Sequence, residues 1–185
     1  MSPTEGFRVF AYGSLMWRPG FPYVESTPAL LRGYHRAFCV YSHHYRGTPE
    51  RPGLVLGLAP GGACRGLAFR VADDRVEQVK AYLHERELVS YAYVPRQVPV
   101  ALPEGAANAY TFVADPGHPQ YAGDLGPERS AEIIMKAAGA AGLNREYLIR
   151  TVQQLERAGH PDPALHALLE RVWRLTGEIE AGGGI

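Results

Sequence analysis

DDRVEQVKAYLHERELVSYAY, residues 73–93, predicts a single helix set between segments that have the composition of strands. At about 100° per residue, one face of this helix, expected to be apolar, contains the residues within about 60° of Val76, which are Val79, Lys80, Leu83 and Glu87. Glu85 points about 180° away from Val76 and is therefore expected in solvent. The sequence thus places one carboxylate, Glu87, in the middle of the helix face that turns toward the protein interior.

A carboxyl group held against protein is chemically useful. Burial disfavours the charged form and raises the pKa of an acid, which lets it accept and return protons near neutral pH. The residues alone leave two alternatives open: the helix has frayed by Glu87, or Glu87 pairs with an arginine.

Strands are predicted on both sides of this helix. Aromatic and β-branched runs bounded by Gly and Pro indicate them, with a hairpin turning at Pro60-Gly61-Gly62 and a second turn through Pro103-Glu104-Gly105. The predicted strands are Phe7–Tyr12, Leu30–Tyr41, Leu54–Ala59, Cys64–Val71, Tyr91–Leu102 and Asn108–Val113.

The chain changes character after Gly126, where helical spacing predicts helices at Pro127–Ala138, Asn144–Ala158 and Pro163–Leu175. Asn144 is expected to cap its helix, as is Asp73 or Asp74 in the first one. The predicted fold class is α+β: a mixed sheet curled into a small β-barrel, one inserted helix and C-terminal helices. We expect one domain over residues 1–177 and a disordered tail over 178–185.

Bulk composition excludes several classes of protein. The 185 residues are 46% hydrophobic and 21% charged, and 19 basic residues balance 19 acidic ones. No basic tract suited to nucleic acid is present, so no nucleic-acid partner is expected. No apolar run approaches the roughly 18 residues of a membrane span and no signal-peptide pattern occurs, so we expect no membrane association and a cytoplasmic location.

Cysteines and histidines do not form a metal motif. Cys39 and Cys64 lie in strand-like runs without zinc spacing and are expected to be core thiols. His43 and His44, with His35 nearby, have no matching ligand pattern elsewhere in the chain. No metal site is predicted.

Tyr12-Gly13-Ser14-Leu15 follows the first predicted strand. Glycine allows close approach of the backbone, and consecutive N–H groups in such a turn can hold a carboxylate or a developing oxyanion. The alternative is an ordinary turn at the end of a strand. Ser14 lacks the GxSxG context of a hydrolase nucleophile and is not assigned that role.

Seven segments, in order along the chain, form a larger pattern. Together they resemble the ChaC-like gamma-glutamylcyclotransferases, which act on glutathione, over nearly the whole sequence. The segments are Val9–Trp17 (VFAYGSLMW), Tyr45–Glu50 (YRGTPE) with Pro52-Gly53, Cys64–Arg70 (CRGLAFR), Tyr82–Glu87 (YLHERE), Tyr93–Pro95 (YVP), Tyr121–Gly123 (YAG) and Gly142–Leu148 (GLNREYL).

The resemblance implies specific roles. In that family the final Glu of the YLxxRE segment is the acid/base residue, which makes Glu87, and not Glu85, the expected catalytic residue. The resemblance also implies a gamma-glutamylcyclotransferase-like fold and no metal or organic cofactor. The residues it implies in substrate binding are Tyr12, Gly13, Ser14, Leu15, Met16, Trp17 and Tyr93.

The implied reaction converts glutathione, a small-molecule substrate, to 5-oxoproline and cysteinylglycine by intramolecular aminolysis. Alternatives are a cyclotransferase for other gamma-glutamyl peptides or amines and a non-catalytic binding module on the same fold. The chain departs from the family at Ala11, a small change, and at Tyr91, which is expected to reshape the rim of the site. The oligomeric state is left open.

Overall fold

A computed structural model describes residues 5–87 and 92–182, with side chains through residue 177. The elements in chain order are β1 Phe7–Ala11, α1 Ser14–Trp17, β2 Glu25–Ser42, β3 Gly53–Val71, a 3-10 turn Asp73–Arg75, α2 Val76–Glu87, β4 Tyr93–Leu102, β5 Gly105–Ala114, α3 Gly126–Lys136, β6 Ala138–Gly139, β7 Gly142–Leu143, α4 Asn144–Arg157 and α5 Pro163–Gly182.

The chain forms two compact units, and the strands β2 and β3 run from one into the other. One unit combines Met1–Arg36 with Gly57–His118, and the other combines Ala37–Leu56 with Pro119–Ile185. The expectation of a single domain over residues 1–177 stays a prediction. Helix α5 extends through Gly182, so the first five residues of the predicted tail are helical.

Five strands close a barrel in the order β1-β3-β2-β4-β5. β1 pairs antiparallel with β3 and parallel with β5, and β4 pairs antiparallel with β5 over ten residues. Because successive residues of a strand face opposite sides of a sheet, alternate apolar side chains fill the interior. That interior contains Phe10, Ala29, Leu31, Leu58, Cys64, Ala68, Val98, Val100, Leu102, Ala107, Ala109 and Val113. The predicted α+β barrel with an inserted helix is confirmed.

The hairpin predicted at Pro60-Gly61-Gly62 is wrong. β3 runs without a break from Gly53 to Val71. Gly61 and Gly62 both have positive φ, and His35 of the neighbouring strand β2 bonds the Gly61 carbonyl oxygen through Nδ1 at 2.9 Å. Glycines that permit a tight turn also permit local irregularity inside a strand, and here the strand continues past them.

Both predicted helix caps are also wrong. Asp73 and Asp74 lie within the 3-10 turn, whose N-cap is Ala72 without a side-chain bond. Their charges stay favourable there because acidic residues in a first turn complement the helix dipole. Asn144 is the first residue of α4 rather than its cap, and its amide bonds elsewhere.

Helix α2 packs on the outer face of β1 and β5. The ammonium group of Lys80 lies 5.3 Å from the ring centre of Phe7 and 5.7 Å from that of Tyr110. His84 Nε2 lies 2.6 Å from the Tyr110 hydroxyl, and its ring meets Phe112 edge to face. These contacts, with Val79 and Leu83 buried, fix the rotation of α2 on the barrel.

The second unit contains the three C-terminal helices, and α5 packs against α3 and α4. Asn144, fully buried, joins α4 to β3: its side chain accepts a bond from Leu54 N–H at 2.9 Å and donates one to Leu54 C=O at 2.8 Å. Arg46 bonds the Leu143 carbonyl oxygen at 3.1 Å and covers the Tyr147 ring. Among the described helices, none has the length and apolarity needed to cross a membrane.

Candidate active site

Glu87 is the last residue of α2, and the helix is intact up to it. Its side chain is only 20% exposed, whereas Glu85 is exposed. The orientation predicted from helical periodicity is therefore confirmed for both residues, and fraying before Glu87 is ruled out.

The electrostatics of Glu87 combine two opposing effects. Burial raises the pKa of its carboxyl group above the ordinary value, and the charge of Arg86 acts in the opposite direction as the smaller effect. Arg86 Nε lies 3.9 Å from Glu87 Oε1, an ion pair too long for a hydrogen bond. The predicted arginine pairing thus exists, but it does not cancel the effect of burial. Glu87 remains an acid whose pKa is moved toward neutrality.

The turn after β1 forms the short helix α1. Gly13 precedes it, and the Met16 N–H donates to the Gly13 carbonyl oxygen at 2.9 Å. The side chains of Leu15 and Met16 are buried, Trp17 is half-buried, and Ser14 is exposed. Among the predicted binding residues of the turn, Ser14 therefore has an exposed side chain, and the buried side chains of Leu15 and Met16 anchor the turn.

Arg36, on β2, holds the start of this turn and was not predicted from the sequence. Its side chain is buried, and Nε donates to the Tyr12 carbonyl oxygen at 2.6 Å. Nη2 bonds the carbonyl oxygen of Arg65 and lies 3.6 Å from the Met16 sulfur. The predicted strand Leu30–Tyr41 also contains Arg32 and His35, so composition alone did not single out Arg36. Its burial has a physical reason in these bonds, because arginine is almost never buried unless it is paired.

Arg86 connects the turn to α2, and the sequence did not predict a separate role for it. Its Nη2 donates to Ser14 Oγ at 2.8 Å, and its Nη1 donates to the carbonyl oxygen of Arg18 at 2.8 Å. Nη1 also reaches Pro19 O at 3.3 Å and Tyr82 Oη at 3.1 Å. The residue adjacent to Glu87 in the chain thus brings the turn and the acid-bearing helix together.

The two predicted tyrosines occupy different faces of the sheet. Tyr12 packs against the apolar interior of the barrel. Tyr93 pairs with Ala114, and by strand alternation it shares the outer face with Phe112, which contacts His84 of α2. Tyr91 lies outside the described residues.

The cysteines, the possible metal ligands and Ala11 complete the account of the residues singled out from the sequence. Cys39 and Cys64 are buried free thiols, as predicted. Within residues 5–87 and 92–182, no three His, Cys, Asp or Glu side chains are grouped as metal ligands. Ala11, the departure next to the turn, is fully buried at the end of β1.

Solved structures identify the class of fold. The crystal structure of the gamma-glutamyl cyclotransferase specific to glutathione from yeast superposes with a TM-score of 0.81, covering 92% of this chain and 99% of that one at 23% identity. A selenomethionine-labelled form of the yeast enzyme gives a TM-score of 0.78. The chain therefore has the gamma-glutamyl cyclotransferase fold.

Sequence comparison identifies the family. The family model described as ChaC-like protein matches residues 7–175, and the chain belongs to this family. The glutathione-specific gamma-glutamylcyclotransferase of Escherichia coli K12 is 38% identical over 95% of this chain and 77% of its own length. The human glutathione-specific gamma-glutamylcyclotransferase 1 is 34% identical, covering 89% and 77%. The Schizosaccharomyces pombe glutathione-specific enzyme is 31% identical, covering 97% and 95%.

Proposed function

We propose that this chain is a glutathione-specific gamma-glutamylcyclotransferase that converts glutathione to 5-oxoproline and cysteinylglycine. The observation that carries the proposal is the carboxyl group of Glu87, which is four-fifths buried, has a raised pKa and is linked through Arg86 to the Ser14 turn. Relatives from bacteria, animals and fission yeast that bear the name glutathione-specific gamma-glutamylcyclotransferase support the choice of substrate.

The reaction needs no nucleophile from the protein. The α-amino nitrogen of the gamma-glutamyl group attacks the side-chain amide carbonyl carbon, so that a C–N bond closes a five-membered lactam. The C–N bond to the cysteine nitrogen then breaks. The attacking amine loses one proton and the leaving nitrogen gains one, so that the overall proton balance is zero.

Glu87 is the group we assign to this proton transfer. It accepts the proton of the attacking amine and returns it to the leaving nitrogen, which requires a carboxyl pKa closer to neutrality than that of a solvated acid. Burial supplies this shift. Arg86, at 3.9 Å, favours the charged form of this carboxyl group and so opposes part of the effect of burial on its pKa.

The Tyr12–Trp17 turn is assigned to the gamma-glutamyl group. The first N–H groups of a helix have no partner inside that helix, so the backbone at Ser14 and Leu15 can donate to a carboxylate or to the developing oxyanion. The turn is fixed in advance by the Arg36 bond to the Tyr12 carbonyl oxygen. A fixed turn lets the enzyme hold the amine and the carbonyl carbon together, a proximity effect worth several kcal/mol in barrier height. We assign Tyr93, on the outer face near α2, to the same site.

Incubation with reduced glutathione, followed by detection of 5-oxoproline and cysteinylglycine, tests the proposal. Both products are expected in equal amounts and without added metal or cofactor. A parallel reaction with gamma-glutamyl-alanine tests the leaving group, and much slower turnover is expected because the enzyme is proposed to recognise the cysteinylglycine part. Absence of both products from glutathione contradicts the proposal, and faster turnover of gamma-glutamyl-alanine favours a cyclotransferase for other gamma-glutamyl peptides.

We also propose the cytoplasm as the compartment in which the enzyme acts. Reduced thiols prevail there because glutathione and thioredoxin maintain them. The two buried free cysteines suit such surroundings. Fractionation of cells that express the chain at its native level, with antibody detection, tests this location, and recovery from an extracytoplasmic fraction would contradict it.

A further inference from the structure

The guanidinium group of Arg86 has more partners than a surface arginine needs. All of its nitrogens are engaged: Nη2 with Ser14, Nη1 with Arg18, Pro19 and Tyr82, and Nε toward Glu87. Its side chain is only 21% exposed. Three of these partners belong to the turn and its continuation, which lie about seventy positions earlier in the sequence.

The geometry of these bonds suits arginine and not lysine. A guanidinium group presents its donors in a rigid planar fork, whereas an ammonium group is a compact charge on a flexible stem. In Arg86, Nη2 donates to the Ser14 hydroxyl group, Nη1 donates to a backbone carbonyl oxygen, and Nε faces the Glu87 carboxylate. A lysine at this position keeps the charge but cannot keep all three directions.

A second contact presses the same two parts of the chain together. Gly20 has a φ of +72°, and a Cβ atom placed on it would lie 2.1 Å from the Tyr82 hydroxyl oxygen. The segment after the turn therefore rests directly on α2, and only glycine allows it to approach so closely. Tyr82 in turn accepts a bond from Arg86 at 3.1 Å.

We infer that Arg86 is a positioning residue, which sets the distance between the substrate-binding turn and the Glu87 carboxyl group. The inference rests on the proposed function, and it adds a role for a residue that does not itself exchange protons with substrate. Misplacement of a reacting group by about 1 Å can cost on the order of 10²-fold in rate, so a loosened turn is expected to be costly.

The test compares Arg86→Lys, Arg86→Gln and Ser14→Ala with the unmodified chain, in kinetics with reduced glutathione. Arg86→Lys is expected to lower kcat by about tenfold or more, with a smaller change in KM, because the turn can still bind while the acid is displaced. Ser14→Ala removes one bond of the fork and is expected to cost a few-fold. In the double variant Arg86→Lys with Ser14→Ala, the losses should fall short of multiplying, because both remove the same bond.

The pH profile separates position from charge. Within the described residues, the charge that acts on the pKa of Glu87 comes from Arg86. The partners of Arg86 from the turn are a hydroxyl group and carbonyl oxygens, and its partners from α2 are the Tyr82 phenol and Glu87 itself. Arg86→Lys keeps this positive charge, so the acidic limb of the pH profile of kcat should stay at the same pH. Arg86→Gln removes the charge that lowers the pKa of Glu87, so the acidic limb should move to higher pH.

Arg75→Lys is the matched control. Arg75 lies just before α2 and is exposed, and its side chain bonds only the nearby Gln78 in the described contacts, at 3.1 Å. Its kinetics and pH profile should equal those of the unmodified chain. Gly20→Ala tests the same contact from the other side without touching Arg86, and it should also lower kcat.

Hydrogen exchange gives a readout that does not depend on activity. Backbone amides of residues 14–20 should exchange faster in Arg86→Lys than in the unmodified chain, because the Arg86 bonds hold that segment. In Arg75→Lys their exchange rates should equal those of the unmodified chain. Unchanged exchange together with kcat within twofold in Arg86→Lys overturns the inference, as does a loss of Tm alone with normal kinetics of the folded enzyme. If the unmodified chain does not turn over glutathione, the proposed function fails, and the exchange result still decides whether Arg86 holds the turn.

Discussion

Replacement of Glu87 by glutamine is the most direct perturbation of the proposed site. The change preserves the shape of the side chain and removes its ability to take up a proton. General acid–base catalysis contributes at least about 10²-fold to a rate, so kcat should fall by that factor or more, or by about 2.7 kcal/mol in barrier. KM should change little, because the turn that we assign to substrate binding is untouched.

The structure also predicts a small effect of this variant on folding. The ion pair with Arg86 is 3.9 Å long, and a pair of that kind contributes about 0–1 kcal/mol. In a chain of this size, 1 kcal/mol corresponds to about 2–4 °C in Tm. Glu87→Gln should therefore melt within a few degrees of the unmodified protein, so that a lost activity cannot be ascribed to unfolding.

The assay measures 5-oxoproline released from reduced glutathione at saturating substrate, with Tm recorded on the same samples. Glu85→Gln is the matched control: the residue lies two positions away on the exposed face, and its activity should stay within a factor of two of normal. Near-normal turnover by Glu87→Gln would refute the assignment of the proton transfer, and an equal loss in both variants would refute the reasoning from helix orientation.

Three further outcomes follow from particular residues. The pKa of Glu87 is raised in the folded state, so its contribution to stability is full below the ordinary pKa of 4.5 and is lost as the pH rises through the folded pKa. The Tm of Glu87→Gln minus the Tm of the unmodified protein should therefore increase from pH 4 to pH 8. Asn144→Ala leaves the N–H and C=O groups of buried Leu54 without their hydrogen-bond partner and should lower the free energy of unfolding in urea by about 2 kcal/mol or more. Asn108→Ala, on the exposed face of β5, is the control and should change this free energy by no more than about 0.5 kcal/mol. Burial raises the pKa of the Cys39 thiol to about 12, so in a Cys64→Ser variant alkylation by iodoacetamide at pH 8 should be slow until denaturant is added, and rapid native labelling would contradict the buried position.

Local periodicity accounts for the parts of the structure that the sequence predicted well. Helix α2 and the opposite orientations of Glu85 and Glu87 follow from the 3.6-residue repeat, which depends on nearest neighbours in the chain. Strands β1, β4 and β5 follow from their aromatic and β-branched composition, with boundaries shifted by a few residues. The segments that resemble the ChaC-like family, in the same order along the chain, predicted the fold, and the match of the family model to residues 7–175 confirmed the family.

The turn and the helix cap that were predicted from local composition alone were wrong. Pro60-Gly61-Gly62 has the composition of a turn, but pairing with the neighbouring strands keeps β3 continuous through it. Asn144 has the composition of a helix cap, yet its amide bonds Leu54 ninety positions earlier. Both choices are decided by the partners available in the folded chain, which local composition does not specify.

The sequence by itself determined that a carboxylate at position 87 faces the protein, because the direction of a side chain on a helix is set by its spacing from its neighbours. Only the tertiary structure decided what surrounds that carboxylate. Arg86 meets Ser14 and Arg18, and Arg36 meets Tyr12, because closure of the barrel brings together segments that are far apart in the chain. Burial and a neighbouring charge then set the pKa of Glu87, and both depend on long-range packing that no repeat in the sequence encodes.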